Sequence, residues 1–152
     1  MPKGFLSVVL HAHLPFVRHV DTPDCLEQRW LFQAITETYI PLLNTMFRLA
    51  EDGLPGRVTV SLSPPLLEML DDTLLQKRYI GHLENLIELA EKETVRLKGD
   101  ITLEPLARMY LSKFRQAYID YVDRFKCNLI QPWAALESAG YVELCTSAAT
   151  HA

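Results

Sequence analysis

The sequence predicts an α/β fold, and three observations predict it. Short apolar runs suited to buried strands stand next to turn residues. Long stretches with three- and four-residue apolar spacing separate them. The resulting order of strand, helix, strand, helices, strand is that of parallel crossover connections.

Each element has its own signature. Residues 5–10 (FLSVVL) form a continuous apolar run, which suits a strand covered on both faces. Residues 57–63 (RVTVSLS) follow the Gly-Leu-Pro-Gly turn of 53–56 and read as a second strand. Residues 141–147 (YVELCTS) follow Gly140 and read as a third. Between the first two, Ile35, Leu42, Met46 and Leu49 share one face of a helix over residues 26–52, which Pro41 kinks or restarts. Ile80, Leu83, Ile87, Ala90 and Leu97 mark another helix. The clearest pattern lies in residues 103–126, where Leu106, Tyr110, Phe114, Ala117, Tyr121 and Phe125 recur at helical spacing. Pro132 opens a last short helix that ends near Gly140. The second crossover is so long that residues 66–126 are expected to be a helical insertion, built as a hairpin over 72–126, inside one domain spanning residues 1–152.

Composition narrows the class. The 152 residues are enough for one domain with a sizeable core, and 49% hydrophobic with 22% charged residues is an ordinary globular balance. A net charge of −4 without a basic stripe excludes nucleic acid as partner, because phosphate neutralisation needs clustered Lys and Arg. No run reaches the roughly 20 apolar residues of a membrane helix. The first apolar run is too short for a secretory signal, so a cytoplasmic protein with no membrane partner is expected. Cys25, Cys127 and Cys145 are odd in number and widely spaced, which fits structural thiols better than disulfides or metal ligands. Three strands cannot close a barrel, and the chain stops just beyond the third. A fragment is therefore expected, or a chain that borrows the rest of its sheet.

The chemistry is concentrated at strand ends. His11 and His13 stand two apart at the end of the first strand, so both imidazoles face one side of the sheet. In barrels and open α/β sheets, sites are built at that end. His151 holds the equivalent place beyond the third strand, and Ser61 and Ser63 lie at the end of the second. The spacing leaves two readings open. The histidines either share a metal, for which His151 would be the third ligand, or donate hydrogen bonds to a substrate's hydroxyls or to a carboxylate. Ser63, before Pro64 and Pro65, is expected to cap a helix. His19 and His82 read as surface or loop histidines. Trp30 either stacks on a substrate ring or packs with Leu31 and Phe32, and Glu37 is either a buried partner of Arg29 or of a histidine, or part of a solvated helix face. Carboxylates are absent from the strand ends except Glu68 behind the Pro-Pro turn, and Glu143 inside the third strand reads as structural. Hence no catalytic residue is assigned within the chain, and no cofactor is expected.

The segments HAHLPFVRH (11–19), RWLFQAITETYIPLL (29–43) and VELCTSAATHA (142–152) resemble the opening of the family 57 glycoside hydrolases, most of all those of the 1,4-α-glucan branching type. The resemblance runs over essentially the whole chain in the expected order. It implies the N-terminal part of an incomplete (β/α)7 barrel in a longer polypeptide, with the remainder of the barrel as a missing partner. It also implies an α-glucan substrate, cut at α-1,4 links through a covalent glycosyl-enzyme and rejoined at a 6-hydroxyl. By the same resemblance His11, His13, Trp30 and His151 bind the glucan, while the nucleophilic Glu and the acid/base Asp fall beyond residue 152. The chain alone would then be inactive. The family's usual Gly-aromatic-Leu-Pro after the second histidine is replaced by Ala152 and the end of the chain. Alternatives are an α-amylase or 4-α-glucanotransferase of the same family, a metal-dependent polysaccharide deacetylase, or a non-catalytic helical interaction module. The deacetylase needs an early acidic metal ligand that His11-Ala12-His13 does not offer.

Overall fold

A computed structural model describes residues 3–22, 25–54 and 56–149. Its sheet has three parallel strands in sequential order: β1 (Val9–Ala12), β2 (Val58–Leu62) and β3 (Val142–Cys145). Between β1 and β2 run α1 (Leu26–Ala34), a π-helical turn (Ile35–Tyr39) and α2 (Ile40–Glu51). Between β2 and β3 run α3 (Pro64–Asp71), α4 (Thr73–Arg96), α5 (Leu103–Ile119), a second π turn (Asp120–Arg124) and α6 (Ile130–Ser138). The α/β class and the parallel strands thus match the sequence expectation.

Register sorts the side chains into two faces. Val9, Thr59 and Glu143 stand side by side, as do His11, Ser61 and Cys145 one step on. The alternate row of Leu10, Val60 and Leu144 points the other way, onto the helices. The apolar face carries the core, where Val60, Leu62 and Val142 meet Leu31, Leu43, Leu66, Leu83, Leu136 and Trp133, all nearly or fully buried. Each such side chain contributes roughly 1.5–3 kcal/mol of transfer free energy.

The first strand, expected to be covered on both faces, is open on one face in this chain, where Val9 is 64% exposed. β1 begins at Val9, later than the apolar run of residues 5–10, and Phe5 and Leu6 are 99% and 90% exposed. On that face Val9, His11, Glu143 and Cys145 are exposed, whereas Ser61 and Ser63 are buried.

The long first helix is interrupted for a physical reason. Pro41 has no N–H to give the Glu37 carbonyl and its ring crowds that carbonyl. The π turn widens the helix there, and Ile40 N–H reaches back to the Ile35 carbonyl. The second π turn closes with Phe125 N–H on the Asp120 carbonyl at 2.8 Å, and Cys127 N–H on Tyr121 at 2.8 Å. Lys126 and Cys127 then take left-handed φ of 53° and 60°, ending the helix. Burial pushes the Cys127 thiol up, with Lys126 opposing it weakly, which suits a structural thiol.

Pro132 does not open α6. The helix starts at Ile130, capped by Asn128, whose Oδ1 accepts from Ile130 and Gln131 N–H at 2.9 and 3.0 Å. Pro132 is tolerated inside the first turn, and Gly140 at φ 84° ends the segment as expected.

Helices α4 and α5 form a hairpin over a six-residue turn, with Asp100 Oδ1 accepting Thr102 and Leu103 N–H at 2.9 Å each. Leu106 and Tyr110 line a cleft between them and stay 46% and 40% exposed, so this part of the apolar stripe is less buried than its spacing suggested. Helix α3 belongs to the main core through Leu66, Met69 and Leu70. None of the helices is long and apolar enough to cross a membrane, among the described residues.

Candidate functional site

The polar row of the sheet builds the site. β1 carries His11, and His13 follows on the same side, so the strand's alternation alone brings the two rings together. They stack with centroids 5.9 Å apart and planes 10° from parallel. Beside His11 in register stand Ser61 and Cys145, and Ser63 N–H bonds the Ala12 carbonyl at 3.1 Å, extending the β1–β2 ladder past the strand. Thr146 Oγ1 ties the end of β3 to the Leu62 carbonyl at 2.9 Å.

The loop that leaves His13 is pinned, which holds the rim in place. Val17 is buried and its N–H points at Met69 Sδ, 3.2 Å away. Arg18 pairs with Asp72 at the head of α4. Arg78 donates to the His19 and Val20 carbonyls at 2.6 and 2.9 Å, and to Gln28 Oε1 at 3.1 Å. Each of these ties the loop to a helix that is itself packed in the core.

A cleft of about 300 Å³ runs along the outer edge of β1, lined by His11, His13, Ala34, Thr38, Tyr39 and Trp133 among others. Burial pushes the Tyr39 phenol up to about 12, so it is a neutral donor at ordinary pH. The indole N–H of Trp133 and the hydroxyl of Ser63 are buried and have no hydrogen-bond partner among the described residues.

Ser63 corrects one expectation. It occupies the N-cap position of α3, and its carbonyl accepts Leu67 N–H at 3.1 Å, yet its side chain makes no cap bond. The hydroxyl lies on the polar row of β2, away from the helix N–H groups. Glu143 lies inside β3 and makes a cross-strand contact, as its structural reading expects. It is an exposed member of the polar row, accepting from Thr59 Oγ1 at 3.2 Å, and lies one step below the histidine level. Alternation along β3 was the signal that placed it there, two residues before Cys145.

Trp30 is 46% exposed and stands outside the buried core. It lies one turn before Ala34, a lining residue of the His11–His13 cleft, so it shares that side of α1 without lining the cleft itself. Glu37 is exposed and pairs with Lys113 of α5 at 3.3 Å, as the solvated-face reading expects. Glu68 is exposed on α3. His19 is an exposed loop residue, whereas His82 is partly buried on α4, its ring 5.3 Å from that of Phe32. His151 lies outside the described residues.

Sequential parallel strands, one apolar face clad in helices and one face bearing paired histidines at the strand end define a β/α architecture. The Glycosyl hydrolase family 57 profile matches residues 7–152, and the chain belongs to that family. It is 37% identical over 150 residues to the 1,4-alpha-glucan branching enzyme TK1436 of Thermococcus kodakarensis, spanning 98% of this chain and 21% of that protein. Among solved structures, the alpha-amylase AmyC of Thermotoga maritima is 41% identical with a TM-score of 0.87, over 96% of this chain and 27% of that one. The GH57-type branching enzyme of Pyrococcus horikoshii is 34% identical with a TM-score of 0.89, over 99% and 28%. The chain thus spans about a fifth to a quarter of the relatives it matches.

Proposed function

We propose that this chain supplies the histidine-bearing rim of an α-glucan-acting enzyme of the branching type. In this reading His11 and His13 hydrogen-bond the donor sugar's hydroxyls, Trp30 stacks on the glucan nearby, and His151 joins them from the end of the third strand. The observation that carries it is the stacked His11–His13 pair at the strand ends of a polar sheet face, in a chain 37% identical to a branching enzyme.

Glycosyl transfer with retention needs two carboxyl groups about 5–5.5 Å apart across the bond. Among the described residues, Glu143 stands alone on the polar face and is engaged by Thr59. In this reading the nucleophile and the acid/base come from further strands of a longer polypeptide, and the hairpin of α4 and α5 is an insertion between barrel strands. The histidines position the sugar, and carboxylates from further strands cut and rejoin it.

A hydrolytic reading is favoured by one observation, the 41% identity to an alpha-amylase. Amylose digestion separates the two. The polypeptide that carries the remaining strands is expected to form branches released by isoamylase, without a matching rise in reducing ends. A rise in reducing ends without branches would make it a hydrolase. Turnover by the 152-residue chain alone would place the acid pair within it and overturn the division of labour.

A further inference from the structure

Away from the histidine rim, His19, Cys25 and Glu27 bring an imidazole nitrogen, a thiol sulfur and a carboxylate oxygen within 4.8 Å of one another. We propose that these three residues form a structural site for a divalent metal of the zinc class, which clips the loop after His13 onto the start of α1.

The donor set selects the ion. Nitrogen, sulfur and oxygen together suit borderline metals, whereas calcium takes six to eight oxygens and magnesium an octahedron of them. Ligand atoms on one tetrahedral zinc sit roughly 3.3–3.8 Å apart, given bonds of about 2.0–2.3 Å. The present spread of 4.8 Å exceeds that separation by about 1 Å, a difference of the order that side-chain torsions span. The fourth position is open to water.

The scaffold is built for it. His19 belongs to the pinned loop, where Gln28 Nε2 and Arg78 Nη1 both donate to its carbonyl, at 3.3 and 2.6 Å. Cys25 takes the N-cap position of α1 with extended backbone, yet its side chain makes no cap bond, and Glu27 stands in the first turn. One ligand therefore comes from the loop after His13 and two from the start of α1.

Charge decides in favour of binding. A thiolate and a carboxylate neutralise a divalent cation, here beside the N-terminus of α1. The same helix end and Arg78 oppose a cation. Arg78, however, is committed to three oxygens, the carbonyls of His19 and Val20 and Gln28 Oε1, which damp its field at the site.

The test uses the full 152-residue chain and Co²⁺ as the spectroscopic probe, with Zn²⁺ as competitor. The expected result is a saturable thiolate-to-cobalt charge-transfer band, erased by stoichiometric zinc. Cys25→Ser is expected to abolish the band. His19→Ala and Glu27→Gln are expected to weaken affinity by at least the ~10–100-fold that even outer-shell losses cost. Cys127→Ser, Cys145→Ser and the double variant His11→Ala/His13→Ala should keep it. No band in the parent chain, a band that survives Cys25→Ser, or one lost with Cys145 or with His11 and His13 would overturn the assignment. Should Cys25→Ser unfold, as read by far-ultraviolet circular dichroism, the surface changes at His19 and Glu27 decide in its place: unchanged cobalt affinity in both would overturn the site.

Discussion

The imidazoles of His11 and His13 lie 5.9 Å apart and 10° from parallel, on the face of the sheet that turns away from the helices. That single relationship follows from strand alternation, and it gives the chain a polar surface at the end of an otherwise apolar strand. Tyr39, Val60 and Trp133 belong both to the core and to the lining of the histidine cleft, whereas Leu83 and Asp120 do not line it and test the core separately.

Ser63 gives the sharpest local prediction. Replacing a capping serine by alanine usually costs about 0.5–2 kcal/mol. Here the hydroxyl caps nothing and is buried without a partner among the described residues. Ser63→Ala is expected to leave stability within about 0.5 kcal/mol of the parent, or to raise it, because an unsatisfied buried group is removed. A urea midpoint lowered by the equivalent of about 1 kcal/mol or more would restore the capping role.

The core should respond in the opposite sense. Leu83 is fully buried between α4 and its neighbours, so Leu83→Ala is expected to cost about 2–5 kcal/mol. Asp120 is buried and accepts from Asn44 Nδ2 at 2.7 Å and Gln116 Nε2 at 3.0 Å. Asp120→Ala strands two amide donors and should cost about 1–3 kcal/mol. Equilibrium unfolding in urea measures both.

Asp72 sets an acid limb. Burial raises its pKa, but the Leu75 N–H and the Arg18 guanidinium outweigh it, and the carboxyl ends below its usual range. A depressed carboxyl pKa stabilises the fold above the unfolded value near ~4 and loses that contribution as pH falls through the folded one. The melting temperature of Asp72→Asn should therefore vary less than that of the parent below about pH 4. Parallel curves in that range would show that the Asp72 carboxylate adds nothing to the pH dependence.

Three tyrosines set an alkaline limb. Burial pushes Tyr39 up to about 12, and Tyr79 and Tyr121 higher still. Tyr79 is held by Thr36 Oγ1 at 2.9 Å and meets the edge of Tyr121 at 4.7 Å between centroids. A raised phenol pKa stabilises the fold fully below the unfolded value near ~10, and the contribution is lost as pH rises through the folded one. Spectrophotometric titration should show these three ionising only together with unfolding. Reversible ionisation of all six tyrosines near ~10 in the folded chain would be inconsistent with the packing.

The parallel strands, the hairpin and the shared face of His11 and His13 were legible because each follows from a local period. What escaped depends on neighbours. Phe5 and Leu6 read as a buried strand, but an apolar run does not say which rows face helices. The π turn at Ile35–Tyr39 was visible only as the disruptive Pro41, since the widened turn is one of several ways to accommodate a proline. Glu143 is structural as expected, but its partner Thr59 is set by strand register, which one strand alone does not reveal. Asn128 capping α6 was hidden by the stronger Pro132 signal.

The functional reading rests on His11 and His13 meeting an α-glucan. Titrating the isotopically labelled chain with maltoheptaose, with cellopentaose as control, reads their ring resonances directly. Saturable shifts are expected at His11 and His13 with the α-linked sugar, much smaller shifts with the β-linked one, and none at His82. Unmoved histidine rings at saturating maltoheptaose, or equal shifts at His82, would refute the sugar-binding role.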